Sequence, residues 1–225
     1  MVFRPIKNYL QGKADPEKGA VICGLDEVGR GPLAGPLVAC ALILTGEVRF
    51  KGLKDSKKMT AAAREKIAKI LQKKAVYGLG EVKPRELDRL GMTAANNLAF
   101  NRALKDMEGK KGALRPDFLV VDGRDRLKLP YPHTTVIKGD EKIKVIACAS
   151  IVAKVARDRM MIQMAEKYPH YGFELHKGYG TEMHMKALKK HGPCRIHRKS
   201  FAPVAEMAKW RRVGRRGESG VERQA

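Results

Sequence analysis

Three times along this chain an apolar run of strand length leads to a carboxylate with glycine beside it. Ala20-Val21-Ile22-Cys23-Gly24-Leu25 reaches Asp26 and Glu27 just before Gly29-Arg30-Gly31. Phe118-Leu119-Val120-Val121 reaches Asp122-Gly123, and Thr134 to Ile137 runs into Lys138-Gly139-Asp140. If these strands are neighbours in one sheet, Asp26, Glu27, Asp122 and Asp140 converge at one edge. Carboxylates crowded in this way raise one another's pKa, so the cluster requires cations. Oxygen ligands without histidine select Mg²⁺ or Mn²⁺. A single Asp before glycine is adequately explained as a cap or turn former; the threefold recurrence is what points to metal.

The remaining periodicities interleave strands and helices. Val21 to Asp26 and Leu37 to Leu44 read as strands joined by a short Gly-Pro turn, which favours an antiparallel hairpin. Thr60 opens an amphipathic helix with Ile67, Ile70 and Leu71 on one side, and Ala75 to Val82 alternates as a strand. Pro84 and Thr93 start two further helices, Ile143 to Tyr168 contains a long one, and another follows Thr181. This order predicts an α/β fold with a mixed central sheet covered by helices on both faces. Adjacent strand residues point to opposite faces. Asp26 and Glu27 therefore share a metal site only if the strand is distorted there, or if Glu27 contributes its main-chain carbonyl.

Charge narrows the partner. The 225 residues carry 46 Lys and Arg against 24 Asp and Glu, a formal net charge of +22 spread along the chain. Solvated helix faces account for part of this excess, but its size points to nucleic acid. No apolar run reaches the ~20 residues of a membrane span, and the charged amino-terminal residues do not form a signal peptide; the expected setting is cytoplasmic. Residues 1–19 read as an extension, 20–209 as one catalytic domain, and the Arg-rich 210–225 as a disordered tail.

Several other motifs bear on phosphodiester chemistry. Ser56, Lys57 and Lys58, just ahead of a helix start, suit a phosphate backbone, or equally a solvated helix cap. Gly29-Arg30-Gly31 is neither a P-loop nor a dinucleotide fingerprint. Tyr179, in His176-Lys177-Gly178-Tyr179-Gly180-Thr181, can stack on a sugar and hydrogen-bond a 2′-hydroxyl; alone, it is also an ordinary packed loop aromatic. Cys23, Cys40, Cys148 and Cys194 are too scattered for a disulfide framework. His184, His191, Cys194 and His197 match no zinc-ligand spacing. No serine or cysteine has an evident partner base, and Ser150 lies in an apolar helix. Two ions about 4 Å apart would remove the need for a protein nucleophile. A non-catalytic RNA-binding protein would explain the charge but not the repeated carboxylates, and a two-metal nuclease indifferent to the sugar remains an alternative.

Gly-Leu-Asp-Glu-Val-Gly-Arg-Gly-Pro-Leu-Ala-Gly, Asp-Ser-Lys-Lys, Val-Val-Asp-Gly, Lys-Gly-Asp, Ala-Ser-Ile-Val-Ala-Lys-Val-Ala-Arg-Asp, His-Lys-Gly-Tyr-Gly-Thr and Arg-Lys-Ser-Phe-Ala-Pro-Val occur in this order. With them the chain closely resembles the bacterial ribonuclease HII family from about Ala20 to Val204. The resemblance implies a ribonuclease H-like fold with a helical carboxyl-terminal extension; separately, a monomer is the expected state. It implies hydrolysis of the RNA strand of RNA-DNA hybrids and incision at ribonucleotides embedded in DNA, leaving 5′-phosphate and 3′-hydroxyl ends. It further implies Asp26, Glu27, Asp122 and Asp140 as catalytic ligands of two Mn²⁺ or Mg²⁺ ions, with Asp26 bridging. Gly29, Arg30 and Gly31 would read the junction and Tyr179 the ribose, while Asp158 is read as structural.

Overall fold

The computed structural model describes residues 20–46, 48, 59–110 and 112–207. The extension 1–19, the tail 210–225 and the Ser56, Lys57 and Lys58 motif lie outside them. The described residues divide into two compact units, the first drawn from 20–28, 37–82 and 93–157, the second from 29–36, 83–92 and 158–207.

In the first unit, β1 (Ile22–Val28), β2 (Leu37–Leu44), β3 (Ala75–Val82), β4 (Phe118–Asp122) and β5 (His133–Val136) form one sheet in the order β3-β2-β1-β4-β5. The β1–β2 and β2–β3 pairs are antiparallel, whereas β1–β4 and β4–β5 are parallel. This is the expected mixed sheet with its opening hairpin. β1 and β4 run parallel to the same edge, which brings Asp26 near the end of β1 beside Asp122 at the end of β4.

Helices cover both faces, and register shows how. Gly24 pairs with Leu42 and Val120, and Asp26 with Cys40, so these residues share one face. On it Cys40, Leu42 and Val120 join the apolar cluster of Ile67, Ala68 and Leu71 from α1 (Ala61–Lys74) and of Val145 and Ile146 from the long α5 (Lys144–Lys167). A Cβ on Gly24 would lie 2.6 Å from the Val145 carbonyl. Gly78 and Gly80 of β3 lie on the opposite face, in register with Ala41 and Ala39. There α3 (Met92–Glu108) packs so closely that a Cβ at Gly80 would overlap the Ala99 carbonyl. Thr60 caps α1 by accepting the Ala63 N–H, as the sequence suggests.

The second unit holds α2 (Pro84–Leu90), the end of α5, α6 (Phe173–His176) and α7 (Glu182–His191). Its core joins Leu33, Ala34, Met161, Tyr171, Phe173, Leu188 and Val204. Two fully enclosed histidines interrupt this core. Cys194 N–H donates to His197 Nδ1 (2.9 Å), His197 Nε2 meets His184 Nε2 at 3.0 Å, and His184 Nδ1 reaches the Tyr179 carbonyl at 2.9 Å. These partners assign the protons: His197 donates from Nε2 to His184, which donates from Nδ1 to Tyr179. Burial, then the neighbouring His184, pushes His197 down to about 4, and burial lowers His184 too. Among the described residues no helix is long and apolar enough to cross a membrane.

Two outcomes follow from this packing. Gly24→Ala should lower the unfolding free energy by at least about 2 kcal/mol, because the added methyl meets backbone that cannot step aside; urea titration measures it. His197 stays neutral in the folded chain down to about pH 4, but in the unfolded chain it takes up a proton near its ordinary 6.5. Its contribution is complete above pH 6.5 and is lost as pH falls towards 4, by about 1.4 kcal/mol per unit. Urea midpoints between pH 7 and 4.5 should therefore fall more steeply for the parent than for His197→Gln.

Candidate active site

The β1–β4 register ends at Leu25↔Val121, so Asp26 and Asp122 stand one step further on, side by side on the same face. Asp26 is buried, and its carboxyl is pushed well above the usual range, first by that burial and then by the charges of Glu27 and Asp122. A hydrogen bond from Ser150 and the Glu27 N–H, 2.8 Å from Asp26 Oδ1, partly offsets this. Ser150 is thus a partner of the acidic edge, carried there by α5 because Gly24 lets that helix approach.

Asp140 arrives differently from expectation. β5 ends at Val136, Lys138 adopts a left-handed conformation (φ 56°), and Asp140 sits in the first turn of the short helix α4 (Gly139–Lys142), not at a strand end. The reason is a contact with another strand: Gly139 N–H donates to Asp122 Oδ1 at 2.6 Å, which starts a turn where the strand would have continued. Asp140 is buried next to that link.

Nor does β1 distort at its acids. Asp26, Glu27 and Val28 pair in unbroken register with Cys40, Ala39 and Val38. The Glu27 side chain therefore belongs to the α3 face, with Ala39 and Gly80, while its main-chain N–H reaches Asp26. Glu27 Oε2 and Asp140 Oδ1 are buried oxygens that accept no hydrogen bond, although both residues have other partners. Among the described residues no three His, Cys, Asp or Glu side chains stand ready to enclose one ion. The donor chemistry nevertheless fits a hard divalent cation: all oxygen, mutually repelling and partly lacking donors.

In the second unit the loop 29–36 meets the Tyr179 segment. Leu33 N–H donates to the Gly178 carbonyl at 2.8 Å, and a Cβ on Gly31 would lie 3.9 Å from the Tyr179 ring. Arg30, Gly31 and Tyr179 are exposed, Tyr179 by 43 %. The carbonyl of Tyr179 is fixed by Thr181 N–H (2.8 Å) and His184, so the ring projects from a braced backbone.

Sequence reasoning set aside Ser150, His184 and His197 without finding their roles and, above all, missed Arg198. The Arg198 guanidinium is fully buried and holds the carbonyls of Gly29 (2.5 Å), Arg30 (2.9 Å) and Gly35 (3.0 Å). Nothing in its spacing announces burial, because Arg-Lys-Ser reads as a surface run. Thiol chemistry finds no place: burial pushes Cys148 up to about 12 and raises Cys23 and Cys40 as well.

The family model described as Ribonuclease HII matches residues 23–204. The ribonuclease HII of Nitrosococcus oceani is 48% identical over 187 residues, covering 83% of this chain and 90% of that protein. That of Polynucleobacter necessarius is 47% identical over 184 residues, covering 81% and 93%. Among solved structures, the ribonuclease H2 of Pyrococcus horikoshii superposes with a TM-score of 0.69 at 26% identity, covering 85% of this chain and 99% of that one. The chain belongs to the ribonuclease HII family and is a nuclease of the ribonuclease H type.

Proposed function

We propose that the chain hydrolyses the RNA strand of RNA-DNA hybrids and incises at ribonucleotides embedded in duplex DNA, leaving 5′-phosphate and 3′-hydroxyl ends. In this reading it acts as a monomer in the cytoplasm. Asp26, Asp122 and Asp140 through their carboxylates, and Glu27 through its main-chain carbonyl, would hold two divalent cations, Mn²⁺ or Mg²⁺. The observation that carries the reading is the juxtaposition of Asp26 and Asp122 just past the last β1–β4 pair, where burial and mutual charge leave the carboxylates in need of a cation. Such ions, when bound, activate water and stabilise the attacking and leaving oxygens of an in-line displacement.

The protein's own groups divide the remaining work. Ser150 and the Glu27 N–H orient the Asp26 carboxylate, and Gly139 N–H orients that of Asp122. Arg30 and Gly31 present a cation and main chain beside Tyr179, a combination suited to a ribose and its 2′-hydroxyl. The net charge of +22 favours the polyanion throughout. With water as nucleophile, the inert thiols and the hydrogen-bonded Ser150 are not called upon.

Asp26→Asn and Asp122→Asn should each abolish cleavage of a duplex carrying one ribonucleotide while duplex binding persists, as gel shift and product analysis would show. EDTA should silence the parent, added Mn²⁺ should restore it, and replacing the ribonucleotide by its deoxy counterpart should leave nothing cut. Turnover by both Asn variants would reject the reading. Affinity for the duplex should also fall with salt, by about 0.9 in logarithmic slope for each phosphate contact.

A further inference from the structure

We propose that Arg198 is a positioning residue for ribose reading, setting the conformation of loop 29–36 from beneath; this rests on the proposed role of that loop and of Tyr179. Three donors of its guanidinium go to the carbonyls of Gly29, Arg30 and Gly35, and its main-chain N–H goes to the Leu33 carbonyl at 2.9 Å. One residue thus fixes four carbonyls of a single loop. The guanidinium is a rigid planar fork, so it dictates the spacing of those carbonyls, which a flexible ammonium cannot do. The guanidinium carbon lies over the Phe201 ring, 5.1 Å from its centroid, and the ring limits its tilt.

Arg198 is itself anchored. Asp88 on α2 accepts the N–H of Lys199 (2.9 Å), the N–H of Ser200 (3.0 Å) and the Ser200 hydroxyl (2.6 Å), which holds the two residues after Arg198. The order of support runs from Asp88 through residues 199–200 to Arg198, then to Gly29 and Arg30, and finally to Gly31 beside the Tyr179 ring. Because the Arg198 side chain is fully buried, it acts through the loop and not by touching substrate. Displacement of a substrate-contacting group by about 1 Å is enough to cost roughly 100-fold in rate.

The test is steady-state cleavage of the single-ribonucleotide duplex by Arg198→Lys, which keeps the charge and loses the fork. With the variant folded by circular dichroism at the assay temperature, kcat should fall roughly 10- to 100-fold. KM and the Mn²⁺ concentration for half-maximal rate should stay near parental values. Parental kcat, or a loss that appears as weakened Mn²⁺ dependence, would overturn the proposal. If Arg198→Lys is unfolded, Phe201→Leu decides: a lower kcat with unchanged KM supports positioning, and parental kcat overturns it. Arg30→Ala and Tyr179→Ala, assayed alongside, separate the two levels. Should both cleave normally, the ribose-reading role of the loop fails; should both be impaired while Arg198→Lys is not, only the positioning role fails.

Discussion

The first unit depends on how closely α5 lies against the centre of the sheet, and that distance is set by the missing side chain at Gly24. With Val145 backbone 2.6 Å from where a Cβ would be, the helix comes near enough for Ser150, further along α5, to bond Asp26. Any larger residue would push the helix out, and Asp26 would lose a donor while keeping its neighbours' charges. The same contact that closes the core therefore also orients a carboxylate of the acidic edge. Packing and chemistry cannot be varied independently here.

That edge is an unfavourable arrangement without a cation. Asp26 is buried beside Glu27 and Asp122, and each unit by which a pKa is raised represents about 1.4 kcal/mol of differential interaction working against the charged form. A hydrophobic triplet at these positions would pack more favourably in a sheet this well covered. A strained charge cluster at the ends of parallel strands is where a fold concentrates function at the expense of stability.

Much of this was legible beforehand, and for identifiable reasons. β2 and β3 were bounded correctly because apolar runs and period-two alternation report directly on burial within a sheet. Thr60 and Thr181 marked their helices because an N-cap is a local device: each hydroxyl accepts an N–H three residues on. The acids at 26 and 122 were visible because charge directly after an apolar strand is rare. Asp140 was placed at a strand end, and not in a helical turn, because the cause of that turn is a hydrogen bond from Gly139 to Asp122, remote in sequence. Of the two ways Asp26 and Glu27 could share a site, strand distortion is absent because the antiparallel pairing with β2 runs through both residues and holds the pleat, which leaves the Glu27 main-chain carbonyl. Ser150 looked like part of an apolar helix face because its partner lies on another element.

The second unit hides its determinants more thoroughly, since its interior is polar. Arg198, His184 and His197 are fully enclosed, where sequence statistics expect apolar residues. Each is buried because it serves backbone: Arg198 binds carbonyls of loop 29–36, and His197, through His184, fixes the carbonyl of Tyr179. Apolar residues could fill the same volume but could not supply directional donors to the carbonyls of that loop. Under the proposed ribose-reading role, the segment must be held to a fraction of an ångström, because a displaced donor or ring forfeits most of its discrimination. Flexible main chain achieves that only when its carbonyls are held individually. The enclosed guanidinium and the two-histidine relay are the means available, and the depressed histidine pKa values are the cost of using them.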